Sequence, residues 1–419
     1  MTELASRAAA AFGIAAFIAI AWALSEHRRR FPVRVVAWGL GLQIALALVL
    51  LRSPAGRAFF VGVNDAVSAF IRFTDAGTDF VFGSLRTTGF SFALEVLPVI
   101  VVMGSLFSVL YHWGAVQLVV RALARALSRA MGISAAESLS TVADVFVGMT
   151  EAPLLIRPYL ARMTRSELFT VMTAGMATIA GSVLVAYAKM LGGANGAGDA
   201  TGGVWAGHLV TASFMAAPAA VLLAKVMIPE TAQPETSDAA AATVPVESTN
   251  TIDAAAAGAS AALRLAANVG ALLIAFIALL AMANAGLEHV GGWLGFPGLT
   301  LQRVLGWIFA PLALLLGIAP SEAASVGALL GVKTVLNEFL AYRDLAALIA
   351  AGEISPRAAV ISSYALCGFA NFGSLAILLG GVGAMVPERR PEIAQLGLKA
   401  ILAGTLATLM TASVVAVLG

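Results

Sequence analysis

The chain has 419 residues, of which 60% are hydrophobic and 11% charged, with a mean hydropathy of +0.93. Soluble domains carry about a quarter charged residues, so this composition places the chain in lipid. A formal net charge of +2, from 25 basic and 23 acidic residues, excludes the broad cationic field that a nucleic-acid partner requires, and a single cysteine, Cys367, excludes an intramolecular disulfide framework.

A helix needs roughly 20 apolar residues to cross about 30 Å of hydrocarbon at about 1.5 Å per residue. Runs from Ala8 to Leu24 and from Val35 to Leu51 predict an opening pair of spans. His27, Arg28, Arg29 and Arg30 lie between them, with Arg34 just beyond. Short basic loops stay cytoplasmic, so the N-terminus is expected outside. The first run lacks a strongly basic start and a small-residue cleavage site, which predicts a retained span rather than a signal peptide. Asn64 to Leu85 carries Asp65, Arg72, Asp75 and Asp79, too many charges to face lipid, and is expected to lie at the interface. A third span follows from Ala93 to Tyr111.

The next two apolar stretches are too short to span. Ser134 to Val147 and Glu151 to Met163 cover about 14 and about 13 residues, so each reaches only about 20 Å as helix. They predict a re-entrant hairpin with its tip at Gly148, Met149, Thr150 and Glu151. Pro153 fits the first turn of the second arm, where a proline is tolerated. Arg121, Arg125, Arg129, Arg157, Arg162 and Arg165 cluster at the base and predict insertion from the cytoplasmic side. Glu167 to Met190 and Val204 to Ile228 are predicted spans. Glu230 to Gly258 is rich in Ala, Thr, Ser and Pro, has no Lys or Arg, and reads as a disordered linker. Leu265 to Leu287, Ala358 to Met385 and Ala400 to Leu418 complete about eight spans, with Arg389, Arg390 and Lys399 marking a cytoplasmic turn before the last.

The halves on either side of the linker echo one another. Gly132 to Glu137 matches Gly317 to Glu322, each followed by a polar–Glu pair, Thr150–Glu151 and Asn337–Glu338. Gly175 to Ser182 matches Gly368 to Ser374. Three matches in the same order predict an internal duplication. The second hairpin, tipped by Asn337 and Glu338, is expected to enter from the opposite side and meet the first near the midplane. The fold class is therefore an all-α polytopic membrane protein, with about eight transmembrane helices and two re-entrant hairpins in an inverted repeat.

A carboxylate deep in a membrane is costly, which makes Glu151 and Glu338 candidate functional groups. The structural alternative is that Lys189 or Lys333 neutralises them. The glycine segments at 175–181 and 368–373 are expected to interrupt helices, a break tolerated only against protein or a wet cavity. Two carboxylates with Thr150, Asn371 and Ser374 suit a neutral solute bearing hydroxyls or amides. His27, His112, His208 and His289 form no HExxH pair, and no GxSxG elbow is present, so an enzyme is disfavoured.

VFVGMTEAPLLIRPYLARMTRSEL, GMATIAGSVLVAY, GVKTVLNEFLAY and ALCGFANFGSLAILLGG carry a further signal. Through these motifs, and across almost its whole length, the sequence resembles the concentrative nucleoside transporter family. The resemblance implies an elevator-type symporter, assembled as a homotrimer in the bacterial inner membrane, that imports nucleosides with sodium or protons and is not an enzyme. A permease for another neutral polar solute is the alternative, with a membrane-embedded enzyme less favoured. The resemblance further implies a scaffold over 1–114 and 259–294, a linker over 230–258, and a transport domain over 115–229 and 295–419. Met149, Thr150, Glu151 and Val183 would face the nucleobase, and Glu338, Asn371 and Ser374 the ribose, with Phe369 close by. The coupling ion would bind at Asp144, Val147, Thr178 and Ile179. Two positions depart from the family pattern: Met149 stands where glutamine is usual, and Asp144 where asparagine is expected. The second adds a titratable group, which favours protons over sodium.

Overall fold

The computed structural model describes residues 2–83, 85, 92–193, 199–236 and 248–419, and every long regular element among them is a helix. Helix α1 (Glu3–Ala23) and α2 (Val33–Ala47, prolonged by a π turn to Arg52) open the chain. The charged stretch after them belongs to one 29-residue helix, α3 (Pro54–Phe82), whose Ser53 cap accepts the Gly56 N–H at 2.9 Å. Then come α4 (Leu97–His112) and the amphipathic α5 (Ala115–Met131). On α5, Val116, Val120, Ala124 and Leu127 face inward, while Arg125 and Arg129 are exposed.

The first hairpin is α6 (Ala135–Asp144), a turn through residues 145–151, and a 3-10 arm over Ala152–Arg162. Ser134 and Glu137 form a capping box that starts α6. The returning arm is 3-10 rather than α-helical, and Pro158 inside it removes one backbone donor. The predicted span over 167–190 is two helices, α7 (Arg165–Ala177) and α8 (Gly181–Gly193), followed by α9 (Asp199–Met227). In the second half α10 (Thr251–Trp293) leads through α11 (Leu301–Leu315) to the second hairpin, α12 (Ala323–Val335) and α13 (Glu338–Ala350). The predicted span over 358–385 is likewise split, into α14 (Pro356–Leu366) and α15 (Phe372–Met385), before the closing helix α16 (Arg390–Leu418). Among the described residues seven segments, the α7–α8 pair counted as one, are long and apolar enough to cross a membrane; the α14–α15 pair is the eighth of the predicted set.

Packing sorts these helices. The apolar windows of the α7–α8 pair, α9 and α16 are 94%, 89% and 83% buried inside the protein, whereas those of α2, α4 and α10 are each only 17% buried. The first group is a protein interior, and the second leaves most of its apolar surface outside the protomer. Helix α4 packs along α10, drawn close where Gly104 meets Ala262 and Gly258 meets Ser105 and Ser108. By contrast α1 packs on α16 and α2 on α9. Within residues 1–114 the opening pair therefore packs on the buried bundle, whereas α4 packs on α10.

The linker departs from expectation at both ends. Helix α10 already begins at Thr251, where the Asn250 side chain caps Ile252 and Asp253, so 251–258 are helical rather than disordered. The alanine run from Ala254 is a strong helix former, which composition alone disguised as low complexity. At the other end Glu230 accepts a 2.7 Å bond from the Thr164 hydroxyl, and the Thr236 hydroxyl bonds to Glu167. The middle of the linker, 237–247, lies outside the described residues.

Candidate functional site

The two broken helices cross at their breaks. Thr178 leaves α7 with extended backbone (φ −116°, ψ 168°), and its carbonyl accepts the Phe369 N–H from the other break at 3.2 Å. Gly368 makes the crossing close: a Cβ there would lie 2.9 Å from the Met176 carbonyl oxygen and 2.7 Å from Thr408. The α14–α15 break and the second hairpin tip each leave the next helix to be capped by a side chain. Asn371 caps α15, its Oδ1 accepting the Ser374 N–H at 2.7 Å, and Asn337 caps α13, accepting the Leu340 N–H at 2.9 Å.

These caps bring one cluster together. Glu338 opens α13 and is buried; its Oε2 accepts the Asn371 Nδ2 at 2.8 Å, and its Oε1 accepts the Tyr187 hydroxyl at 2.8 Å. Ser374 lies one turn into α15 beside the cap. Val183 sits four residues before Tyr187 on α8 and so shares its face. Glu338, Asn371, Ser374 and Val183 thus sit around the crossing, with half-buried Phe369 on its edge.

Neither lysine neutralises this carboxylate by direct contact. The Lys333 ammonium instead donates to the Ala365 carbonyl at 2.8 Å and the Thr408 hydroxyl at 2.9 Å, satisfying the end of α14. Lys189 pairs with Asp75 and Glu95, each at 2.9 Å. The first hairpin tip is arranged differently. Thr150 points its methyl toward Gly381 of α15, and Glu151 is exposed, but Met149 is buried with its Cβ pressed on Gly175 of α7. The structure therefore seats Met149 partly as packing between hairpin and helix, a contact that residue type could not show.

Asp144 is the last residue of α6 and is fully buried, and neither of its carboxyl oxygens receives a hydrogen bond from any described residue. It faces Gly175, where an added Cβ would lie 3.8 Å from Oδ1. The Thr173 hydroxyl, also on α7, is buried and unpartnered as well. Thr178 bonds its hydroxyl to the Ala174 carbonyl at 3.0 Å, Ile179 lies fully buried in the break, and Val147 is half-buried at the tip. A buried carboxylate without donors is stable only with a proton or a cation on it. Oxygen donors of this kind suit a small hard cation.

Outside the core, Glu26 between α1 and α2 accepts bonds from Arg165 at 3.0 and 3.1 Å and from Lys399 at 2.7 Å. The Arg165 guanidinium, with Lys399, holds its carboxyl well below the usual range, at about 2. Glu137 is buried at the hairpin base with its Oε2 2.7 Å from Lys225. It is a structural ion pair remote from the crossing.

Comparison with known proteins resolves what this arrangement belongs to. Family models described as the Na+ dependent nucleoside transporter N-terminus, nucleoside recognition, and the Na+ dependent nucleoside transporter C-terminus match residues 12–85, 93–194 and 208–416. An uncharacterized transporter of Haemophilus influenzae is 45% identical over 96% of this chain and 95% of its own. Mouse sodium/nucleoside cotransporter 1 is 41% identical over 97% of this chain and 63% of its own. The solved structure of CNTnw in an inward-facing substrate-bound state superposes with a TM-score of 0.90 at 42% identity, covering 99% of this chain and 98% of that one. The chain belongs to the concentrative nucleoside transporter family. It is a multi-pass membrane protein of the elevator type and a nucleoside cotransporter, not an enzyme.

For a concentrative nucleoside transporter, two buried groups at the crossing escape sequence reasoning. Tyr187 falls within the GSVLVAY motif, but an aromatic in an apolar span reads as core, and nothing in its neighbours marks the hydroxyl. Lys333 reads from sequence only as a counter-charge. Its position near the end of α12 is the signal that it could cap a neighbouring helix end.

Proposed function

We propose that this transporter is a symporter that imports nucleosides across the bacterial inner membrane, with the ribose held by Glu338, Asn371 and Ser374. The observation that carries this reading is the Tyr187–Glu338–Asn371 cluster at the crossing of the two breaks. It presents a fixed carboxylate and amide with no cation in direct contact, suited to vicinal hydroxyls. Phe369 and Val183 supply apolar edges to this site, and Thr150 and Glu151 face it from the first hairpin toward the base. Met149 contributes through the seating of that tip on α7.

The coupling ion binds at Asp144 in this reading, with Thr178 and the backbone of Val147 and Ile179 completing the shell. Sodium is the ion favoured by the family description. The proton is the second reading, supported by the unpartnered buried carboxyl of Asp144 itself. The moving body comprises both hairpins and the buried broken helices, and the α4–α10 pair, largely unburied within one protomer, forms the static arm that faces its copies at the centre of a homotrimer. The bacterial membrane is supported by the bacterial sources of relatives such as those from Haemophilus influenzae and Bacillus subtilis. Uptake of radiolabelled uridine by proteoliposomes, recovered chemically intact, tests the substrate class. Failure of uridine, cytidine and adenosine alike to enter or compete would point to another polar solute.

A further inference from the structure

Tyr187 occupies an unusual place. It lies on α8 in the first repeat, yet its hydroxyl donates at 2.8 Å to Glu338 on the second hairpin. Its ring is fully buried and stacks on Tyr342 at a centroid distance of 4.4 Å and 23°, with Phe339 edge-on at 4.9 Å and 75°. Tyr342 is itself anchored, donating its hydroxyl to the Ser363 carbonyl at 2.7 Å. A phenol has one proton to donate, and this packing aims it at Glu338 Oε1.

The carboxylate is thereby held from two sides. Tyr187 takes a lone pair on Oε1 and Asn371 takes one on Oε2, so the plane of the group is set by one residue from each half of the sequence. An ionised carboxylate offers about four acceptor sites, and the sites not taken by these two donors face a solute in a fixed direction. Preorganised acceptors discriminate strongly against a ligand lacking the matching hydroxyl, because the mismatch leaves buried groups unpaired. We propose that Tyr187 is a positioning residue for Glu338 and sets selectivity for the ribose hydroxyls. The inference rests on the reading of the crossing as a nucleoside site.

Tyr187→Phe keeps the ring and its stack and removes only the donor. The test compares KM and maximal rate for uridine, 2′-deoxyuridine and 3′-deoxyuridine in proteoliposomes, for wild type and variant. Wild type is expected to disfavour at least one deoxy analogue. In the variant the uridine KM should rise roughly tenfold while the KM of that analogue stays near its wild-type value, collapsing the ratio between them. An unchanged ratio, whether both values stay or rise together, overturns the proposal and leaves Tyr187 a packing residue. Incorporation of 3-fluorotyrosine at position 187 provides a second variant that preserves both shape and hydroxyl while making the donor more acidic. The ratio should shift with it, and an unaltered ratio again counts against the proposal. Failure of the nucleoside reading itself looks different, since wild type would then neither transport uridine nor distinguish the analogues.

Discussion

The Phe369 N–H donates to the Thr178 carbonyl at 3.2 Å, joining the interruptions of two helices that lie almost 200 residues apart in the chain. Each interruption frees backbone groups in a buried place, where an unsatisfied N–H or C=O is costly. The crossing lets one break satisfy the other. Side chains satisfy further groups, with Asn371 capping α15 and Lys333 bonding the end of α14.

Gly368 is the contact point of that crossing, so it should tolerate no side chain. A methyl group at 368 would meet the Met176 carbonyl at 2.9 Å and Ala177 at 3.0 Å, and these are backbone atoms that cannot rotate away. Gly368→Ala is expected to destabilise the fold by about 1–3 kcal/mol, as overpacking does. Thermal unfolding in detergent should show a lowered midpoint, whereas Gly292→Ala, at a position with open space, should leave it unchanged.

Glu338 and Glu137 are both buried, but their substitutions should fail in different ways. Glu338→Gln replaces an acceptor between two donors, leaving one of them opposed by an amide, at about 1–3 kcal/mol for each unpaired group. Uridine binding should be lost in protein that is still folded. Glu137→Gln instead removes the closer carboxylate of Lys225, leaving it Glu230 at 3.7 Å and the Ser166 hydroxyl at 3.0 Å, and weakening such a buried pair should cost stability, with about 3–5 kcal/mol as the upper end. The loss of uptake should then track the amount of folded protein, with an unchanged KM in what survives. An altered KM for Glu137→Gln with normal yield would contradict this division.

The acid limb of stability should depend on Glu26. Its folded carboxyl is held at about 2, below the ordinary value of 4.5. A depressed carboxylate contributes stability that is fully present above the unfolded value and fades as pH falls from about 4.5 through about 2. Wild type in detergent should therefore lose thermal stability across that window, and Glu26→Gln should be less stable at neutral pH with a flatter acid limb. The same slope in both proteins would show that other carboxylates govern it.

Much of this is readable in the sequence because membrane physics is strict. Segments of about 14 residues cannot span, so the hairpins and their tips follow from length. The repeat is legible in Gly132 and Gly317, which prove to share a left-handed conformation at φ 71° and 76°. Other features depend on three-dimensional neighbours. The different packing partners within residues 1–114 are hidden because α1, α2 and α4 are all apolar, and hydropathy carries no record of which partner covers which face. The start of α10 is hidden because an alanine run suits both a linker and a helix until a cap such as Asn250 is seen. The hydroxyl of Tyr187 and the seating of Met149 on Gly175 depend on pairs brought together only by the crossing and the hairpin.

Asp144 should decide the coupling ion. Asp144→Asn keeps an oxygen for sodium but cannot bind a proton. Under sodium coupling, uptake by wild type needs sodium and the variant retains that requirement with altered affinity. Under proton coupling, wild type responds to an inward proton gradient without sodium and the variant does not. A variant identical to wild type under both gradients would remove Asp144 from the coupling site.

Concentrative uptake by the purified protein tests the central claim most directly. Proteoliposomes carrying wild type or Glu338→Gln are given radiolabelled uridine under an imposed inward sodium gradient and, separately, an inward proton gradient. Wild type is predicted to accumulate intact uridine above the external concentration under at least one gradient, to lose that accumulation when the gradient is collapsed, and to lose it with Glu338→Gln. Accumulation that is absent under both gradients, or equal in the two proteins, would contradict the account.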